Sequence, residues 1–313
     1  MTADLVFWDA LQSWGPGVQR PTGGWEVMAR QLVEITASAG YEVHAYRPAP
    51  AAFVHNVHYW DSRVEHPPMR AKCLVLGRNT PRPAGIQADR VLVAAVDDPR
   101  FETHQVSDAT VVCLSEWQRE MFVALGHPST HVIPSMIDDW IYDLARLGVK
   151  KRQGSYVCVN AWNKGTDATL ALWRDLSMVG ELTVGSPYGA PPDALARCRR
   201  VGARWIGELG PRQVVQALAE SEAVFRVCER PETFGVTDAI AEVVGTRVYG
   251  YFPNGFGATL EVLENSFTAS DLPTFRRALE RRDKHDSEFP WNTRRDLRAS
   301  TIIRQWWQLM GLG

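Results

Sequence analysis

Arg226-Val-Cys-Glu-Arg-Pro-Glu232-Thr-Phe-Gly235-Val-Thr-Asp238-Ala-Ile-Ala-Glu242-Val-Val-Gly245-Thr-Arg-Val-Tyr-Gly250 is the stretch on which the reading of this 313-residue chain turns. The apolar run over 223–227 predicts a short strand, followed by a loop carrying Glu229 and Glu232. A helix then opens near Phe234-Gly235 and runs through Ala239, Ile240, Ala241 and Val244 to a glycine stop at Gly245. Residues 247–252 predict the next strand. At such a junction the backbone of Thr233, Phe234, Gly235 and Val236 offers unpaired N–H groups at the positive end of the helix dipole, which suits a phosphate. Glu232, just ahead of it, binds sugar hydroxyls but repels phosphate, so a ligand with both parts must lie across the junction in one direction. That is the pattern of a nucleotide-sugar site. The plainer alternative makes Glu232 a helix-capping carboxylate.

Outward from this stretch the second half keeps a strand-helix rhythm. Residues 155–159 predict a strand, Asn160 to Gly165 a loop, and 166–177 a helix. Lys164 at that helix start opposes the dipole, so an anionic ligand explains it better than local stability does; the alternative is a solvated loop lysine. The strand over 181–184 ends in Gly185-Ser186-Pro187, a tight turn at the strand edge where ligands sit in open parallel sheets. A strand near Arg204 and a helix over 212–221 lead into the anchoring stretch. Beyond it lie a turn at Asn254 to Gly257, a helix beginning at Ala258, and a charged, then aromatic, tail with Trp306 and Trp307.

The first half shows the same rhythm. A strand at Leu5-Val6-Phe7 runs into a Gly/Pro-rich loop, residues 13–24, then an amphipathic helix over 25–38 and a strand over 41–46. The glycines, Gly23 and Gly24 among them, let backbone approach a ligand closely; a flexible surface turn is the alternative. Residues 47–70 carry no clear pattern, and His55 and His58 have no third metal ligand nearby. Short apolar runs at 73–76, 90–96 and 110–114 predict strands buried on both faces of a parallel sheet. Ser115 reads as the cap of a helix reaching Gly126.

Composition agrees with two ordinary globular domains: 45% hydrophobic, 22% charged, and no apolar run long enough to span a bilayer. The N-terminus lacks the basic and apolar regions of a signal peptide, and five cysteines without a C-x-x-C read as buried thiols, together pointing to a cytoplasmic protein. The net charge of −2 hides an acidic residue range 1–145, net −6, against +4 for the remainder. That half is a poor match for a polyanionic partner. Twelve tryptophans are many, with core packing and sugar stacking as competing explanations.

Several of these positions together resemble the retaining glycosyltransferases of the GT-B fold, glycosyltransferase family 4. Glu232, Phe234, Gly235, Ala241 and Gly245 are in register with the family's Glu-x-Phe-Gly…Glu-Ala-x-Ala-x-Gly signature; Ile240 stands where its second, ribose-holding glutamate would be, flanked by Asp238 and Glu242. Lys164-Gly165 matches the family's diphosphate-clamping Lys-Gly, with Asn160 near the place of its arginine. Gly23-Gly24-Trp25-Glu26 matches the loop that lies against the donor diphosphate, and Val132-Ile133-Pro134 the segment leading to the interdomain linker. The family's N-terminal histidine has no clear equivalent; Asp97 is the substitute, or else begins an Asp-Pro turn.

The resemblance implies an α/β chain of two Rossmann-like parallel-sheet domains facing across a cleft. Residues 1–148 would form an acceptor-side domain and 149–285 a donor-nucleotide domain, with a hinge near 145–153. Residues 286–313 would form a helix returning to the first domain. It implies a metal-independent, cofactor-free hexosyltransferase-like enzyme moving sugar from a nucleoside-diphosphate sugar to a glycan or small molecule. Glu232, Lys164 and Asp97 would be catalytic. Gly23, Gly24, Asn160, Ser186, Thr233, Phe234, Gly235, Val236 and Asp238 would join Glu232 and Lys164 in donor binding. A catalytically degenerate nucleotide-binding scaffold, and an enzyme acting on modified nucleic acid, are the alternatives.

Overall fold

A computed structural model describes residues 1–9, 24–77, 80–95, 109–127, 129–264, 266–280 and 296–313. The chain divides into two compact units: the described residues up to Met136 with Leu297–Gly313, and those of Ile137–Asp296. The division lies ahead of the hinge expected near 145–153, because Asp139–Leu147 is a helix whose Ile141, Tyr142 and Ala145 are buried within the second unit.

In the first unit β1 (Thr2–Trp8) leads to α1 (Gly24–Ser38), then β2 (Val43–Arg47), β3 (Ala52–Val54), β4 (Val57–Asp61), β5 (Met69–Gly77), β6 (Ile86–Ala94), β7 (Thr110–Cys113), α2 (Glu116–Ala124) and β8 (Thr130–Val132). The sheet order is β3-β4-β2-β1-β5-β6-β7-β8. All neighbours are parallel except β3 and β4. β2 is buried along its whole length, which accounts for a strand without alternation. The Trp25 indole donates to Asp9 (3.0 Å), tying the start of α1 to the end of β1. Ser115 caps α2 by accepting from the Gln118 amide. Residues 47–70, unpatterned in sequence, hold a hairpin: His55 and Asn56 both take positive φ (53° and 60°), the geometry of a two-residue turn matched to strand twist. His58 stacks on His44.

The second unit runs α3 (Asp139–Leu147), β9 (Arg152–Val159), α4 (Thr166–Asp175), β10 (Glu181–Ser186), α5 (Ala194–Arg200), β11 (Arg204–Glu208), α6 (Pro211–Glu220), β12 (Ser221–Val227), α7 (Val236–Val243), β13 (Arg247–Tyr251), α8 (Thr259–Val262), β14 (Phe267–Ala269) and α9 (Leu272–Glu280). Its strands, all parallel, are ordered β11-β10-β9-β12-β13-β14. Counted from β9 as the first strand, this is 3-2-1-4-5-6, a doubly wound sheet whose winding reverses between β9 and β12. Tyr156, Trp173, Phe225 and Phe275 dominate one core layer. The chain then returns to the first unit as α10 (Ala299–Met310). Its Trp307 indole donates to Thr36 of α1 (3.0 Å), Arg90 donates to the Leu309 carbonyl (2.8 Å), and Trp306 is fully buried.

All five cysteines are buried and free, and no described helix is long and apolar enough to cross a membrane. Lys151, at the entry to β9, sits beneath two helix ends. Its ammonium shares its three donors among four acceptors at 2.5–3.4 Å: the carbonyls of Ala219 in the last turn of α6, of Ser221 just after it and of Val244 after α7, and Thr246 Oγ1. These carbonyls have no intrahelical partner and lie at the negative end of each dipole. Burial nevertheless pulls the lysine down to about 8. Lys151→Met should therefore cost about 2–3 kcal/mol in urea denaturation at pH 7, through unpaired acceptors. The unfolded lysine titrates near 10.5 and the folded one near 8, so the unfolded state binds more protons between these values. The advantage of wild type over Lys151→Met should thus widen as pH rises through that window.

Candidate functional site

In a doubly wound sheet the loops leaving the two strands at the winding reversal diverge to opposite faces and leave a crevice at their carboxyl ends. Here those strands are β9 and β12. β9 ends in Asn160 and a 3₁₀ turn, Trp162–Lys164; β12 ends in the loop to α7 that carries Glu232. The two loops meet in a charge pair: Lys164 Nζ lies 2.8 Å from Glu232 Oε2. The lysine side chain keeps 37% of its surface open and the glutamate 10%.

Two glycines allow this approach. A Cβ on Gly165 (φ +119°) would stand 2.5 Å from the Val227 carbonyl oxygen, so only glycine lets the β9 loop close on the end of β12. A Cβ on Gly257 (φ +56°) would stand 2.4 Å from the Glu232 carbonyl oxygen; that oxygen also accepts from the Ala258 amide (2.7 Å), which fixes the glutamate backbone.

Behind the pair lies a second, sealed one. Arg226, pointing out of β12, is 1% exposed, and its Nη2 is 3.0 Å from Asp238 Oδ2 in the first turn of α7 and 4.0 Å from Glu232 Oε1. Its guanidinium lies over the Phe252 ring. Burial works against the Glu232 carboxylate, but Lys164 and then Arg226 hold it below its ordinary value. Burial likewise opposes the Lys164 ammonium, and Glu232 more than compensates, keeping it above the usual lysine range. For Asp238 the balance reverses: burial pushes it up to about 6 although Arg226 pulls it down. Cys228, whose thiol lies 3.7 Å from Glu232 Oε1, is pushed by burial to about 12.

No family model matches the sequence, and no curated protein matches it. Solved structures do. AviGT4, a glycosyltransferase involved in avilamycin A biosynthesis, aligns over 99% of this chain and 97% of its own, with TM-score 0.65 and 18% identity. Anabaena HepE in complex with UDP-glucose aligns over 99% of both chains, with TM-score 0.67 and 15% identity. A glycosyltransferase from Rickettsia africae aligns over 99% and 97%, with TM-score 0.69 and 10% identity. The fold is that of the GT-B glycosyltransferases.

Within this GT-B chain the residues singled out from sequence fall into distinct groups. Lys164 and Glu232 meet, with Thr233, Phe234, Gly235 and Val236 following directly to the start of α7. Phe234 is buried, so what it can offer a ligand is backbone. Three residues expected to meet the donor are enclosed in this structure. Asp238 has no exposed surface and faces Arg226, because its helix face turns inward. Ser186 is sealed too; its hydroxyl lies 2.9 Å from the Asn160 carbonyl and 2.7 Å from that of Tyr188, so it can serve either acceptor. Asn160 is buried, and its amide donates toward the Lys164 carbonyl (3.4 Å). Both brace the lysine loop from within. Glu242, expected beside Asp238, instead accepts from Ser266 Oγ (2.8 Å) and the Glu264 amide (3.2 Å). Gly24 opens α1 in the first unit. Gly23 and Asp97 lie outside the described residues.

Sequence reasoning missed Arg226 as a member of the site. Its signal was available: an arginine in an apolar strand, which a folded chain tolerates only with a buried partner. Gly255→Ala, at a left-handed glycine with nothing within 4 Å of a Cβ, should cost only its backbone strain, about 1–3 kcal/mol, whereas Gly257→Ala should cost more than that and displace Glu232, because its Cβ also meets the Glu232 backbone. Thermal melts of the two variants side by side check this.

Proposed function

We propose that this chain is a retaining glycosyltransferase that uses a nucleoside-diphosphate sugar, with uridine as the base to test first. The reading also takes the acceptor to be a glycan or small molecule. The observation that carries it is the Lys164–Glu232 pair, a cation and a carboxylate side by side at the winding reversal, next to the N-terminus of α7. The fold shared with HepE, whose structure holds UDP-glucose, supports the choice of base. The second unit is then the donor-binding one and the first the acceptor-side one.

In this reading the donor diphosphate draws Lys164 off Glu232. Lys164 and the first N–H groups of α7 then offset the charge that grows on the leaving diphosphate as the glycosidic bond breaks. Glu232, kept ionised by its surroundings, accepts hydrogen bonds from donor-sugar hydroxyls and orients the ring. Positive charge at the diphosphate comes from these groups, and the proposed reaction needs neither metal nor cofactor. The acidic first half favours a neutral acceptor over a nucleic acid.

Two variants test the reading by calorimetry and donor turnover. Lys164→Ala should weaken UDP binding tenfold or more and leave uridine binding unchanged; equal loss of both rejects a diphosphate contact. Glu232→Gln removes the anion that competes for Lys164. It should therefore bind UDP at least as tightly as wild type while losing on the order of 10²–10³ in turnover, or about 3–4 kcal/mol of transition-state stabilisation. Unchanged turnover rejects the role of Glu232, and UDP binding without turnover on any acceptor identifies a binding protein instead.

A further inference from the structure

A carboxylate whose nearest cation leaves to meet a ligand, with nothing to replace it, would be stranded in a largely buried setting, where it would take up a proton and lose its value as an acceptor of two hydroxyl hydrogen bonds. Lys164 is that close cation, at 2.8 Å, and it approaches Glu232 Oε2 only. The other oxygen, Oε1, faces inward, with the Arg226 Nη2 at 4.0 Å and the Cys228 thiol at 3.7 Å. Arg226 is not fully committed elsewhere. Its Nη2 lies 3.0 Å from Asp238 Oδ2, yet among the described residues neither Nη2 nor Nε has an aligned hydrogen bond, and neither do the two Asp238 oxygens. A buried guanidinium paired with one carboxylate and 4.0 Å from a second is placed to serve both.

We infer that Arg226 is a positioning residue that takes over Glu232 when Lys164 moves to the donor diphosphate, with Asp238 as the anchor that keeps the guanidinium in place. This rests on the donor reading above and extends it from the exposed pair to the sealed one. The handover is a shift of contacts: one ion pair, Lys164–Glu232, opens toward the ligand, and the 4.0 Å gap between Arg226 and Glu232 closes. Charge is conserved throughout, since two cations and two carboxylates face an incoming anion that pairs with the more exposed cation. Arg226 also masks Asp238, whose uncovered charge in the first turn of α7 would repel the phosphate that the helix end is placed to attract. With 1% of its surface exposed, Arg226 acts on the ligand through these two acids and not by touching it.

The test separates this role from plain packing. Removing Arg226 alone strands Asp238, so the variant of choice is the neutral pair Arg226→Met with Asp238→Asn. Carboxyl titrations by NMR on 13C-labelled glutamate need no ligand. In Lys164→Met, which imitates departure of the lysine, Glu232 should still titrate at or below its ordinary 4.5. Adding the neutral pair should raise that value by a unit or more; no change overturns the inference whatever the enzyme binds. Calorimetry then compares UDP with UDP-glucose. The neutral pair should hold UDP within threefold of wild type and lose tenfold or more of the extra affinity that UDP-glucose shows, as Glu232→Gln does. Loss in Glu232→Gln but not in the neutral pair overturns the role of Arg226 alone. A wild type that binds neither ligand overturns the donor reading, and with it the handover. If the neutral pair does not fold, Arg226→Lys keeps the buried charge on a different reach and should still lose threefold or more of the UDP-glucose increment; an unchanged increment overturns the inference.

Discussion

Two side chains 68 positions apart meet across 2.8 Å because β9 and β12 lie side by side at the point where the sheet changes winding direction. Most other features of the second unit serve that adjacency. Gly165 lets one loop lean on the end of the neighbouring strand, Gly257 fixes the glutamate backbone, and Asn160 and Ser186 brace the lysine loop from within. The contacts that hold the pair are backbone approaches under 3 Å from where a Cβ would be, and close-packed interiors yield little at such distances.

The site is a layered arrangement of charge rather than a single ion pair. Lys164 is partly open to solvent, Glu232 mostly covered, Arg226 and Asp238 sealed. A buried ion pair seldom adds net stability, and losing one partner of such a pair costs about 3–5 kcal/mol. The sealed pair is therefore hard to explain as a device for holding the fold together. At Glu232 its arginine joins Lys164 in offsetting the burial that opposes the carboxylate charge.

Much of this was legible in the chain. β9, β12 and β13 each read as short strands, while the two-domain parallel-sheet architecture was expected from the family resemblance and not from the order of elements. Lys164 and Glu232 were legible for an electrostatic reason, one a cation at the wrong end of a helix, the other a carboxylate ahead of a helix mouth. What was not legible depended on which side of an element faces inward. Asp238 and Glu242 share a helix face by spacing, but spacing does not say that one end of that face is closed by Arg226 and the other by Ser266. The β3–β4 hairpin was missed because its turn uses His55 and Asn56 at positive φ in place of glycine. α5 and β14 were missed because Ala194–Arg200 is a seven-residue helix rich in arginine and Phe267–Ala269 is too short to show a period.

Lys151 adds a mechanical condition. α7 is eight residues long, about 12 Å, with its unpaired first N–H groups at one end and the Val244 carbonyl, held by Lys151, just past the other. The helix is therefore a short strut bolted at its base. It cannot slide toward or away from an incoming ligand without tearing the ammonium from acceptors that also tie down the end of α6. On the proposed donor reading, adjustment then falls to side chains, Lys164 first, with the strut as the fixed datum against which they move.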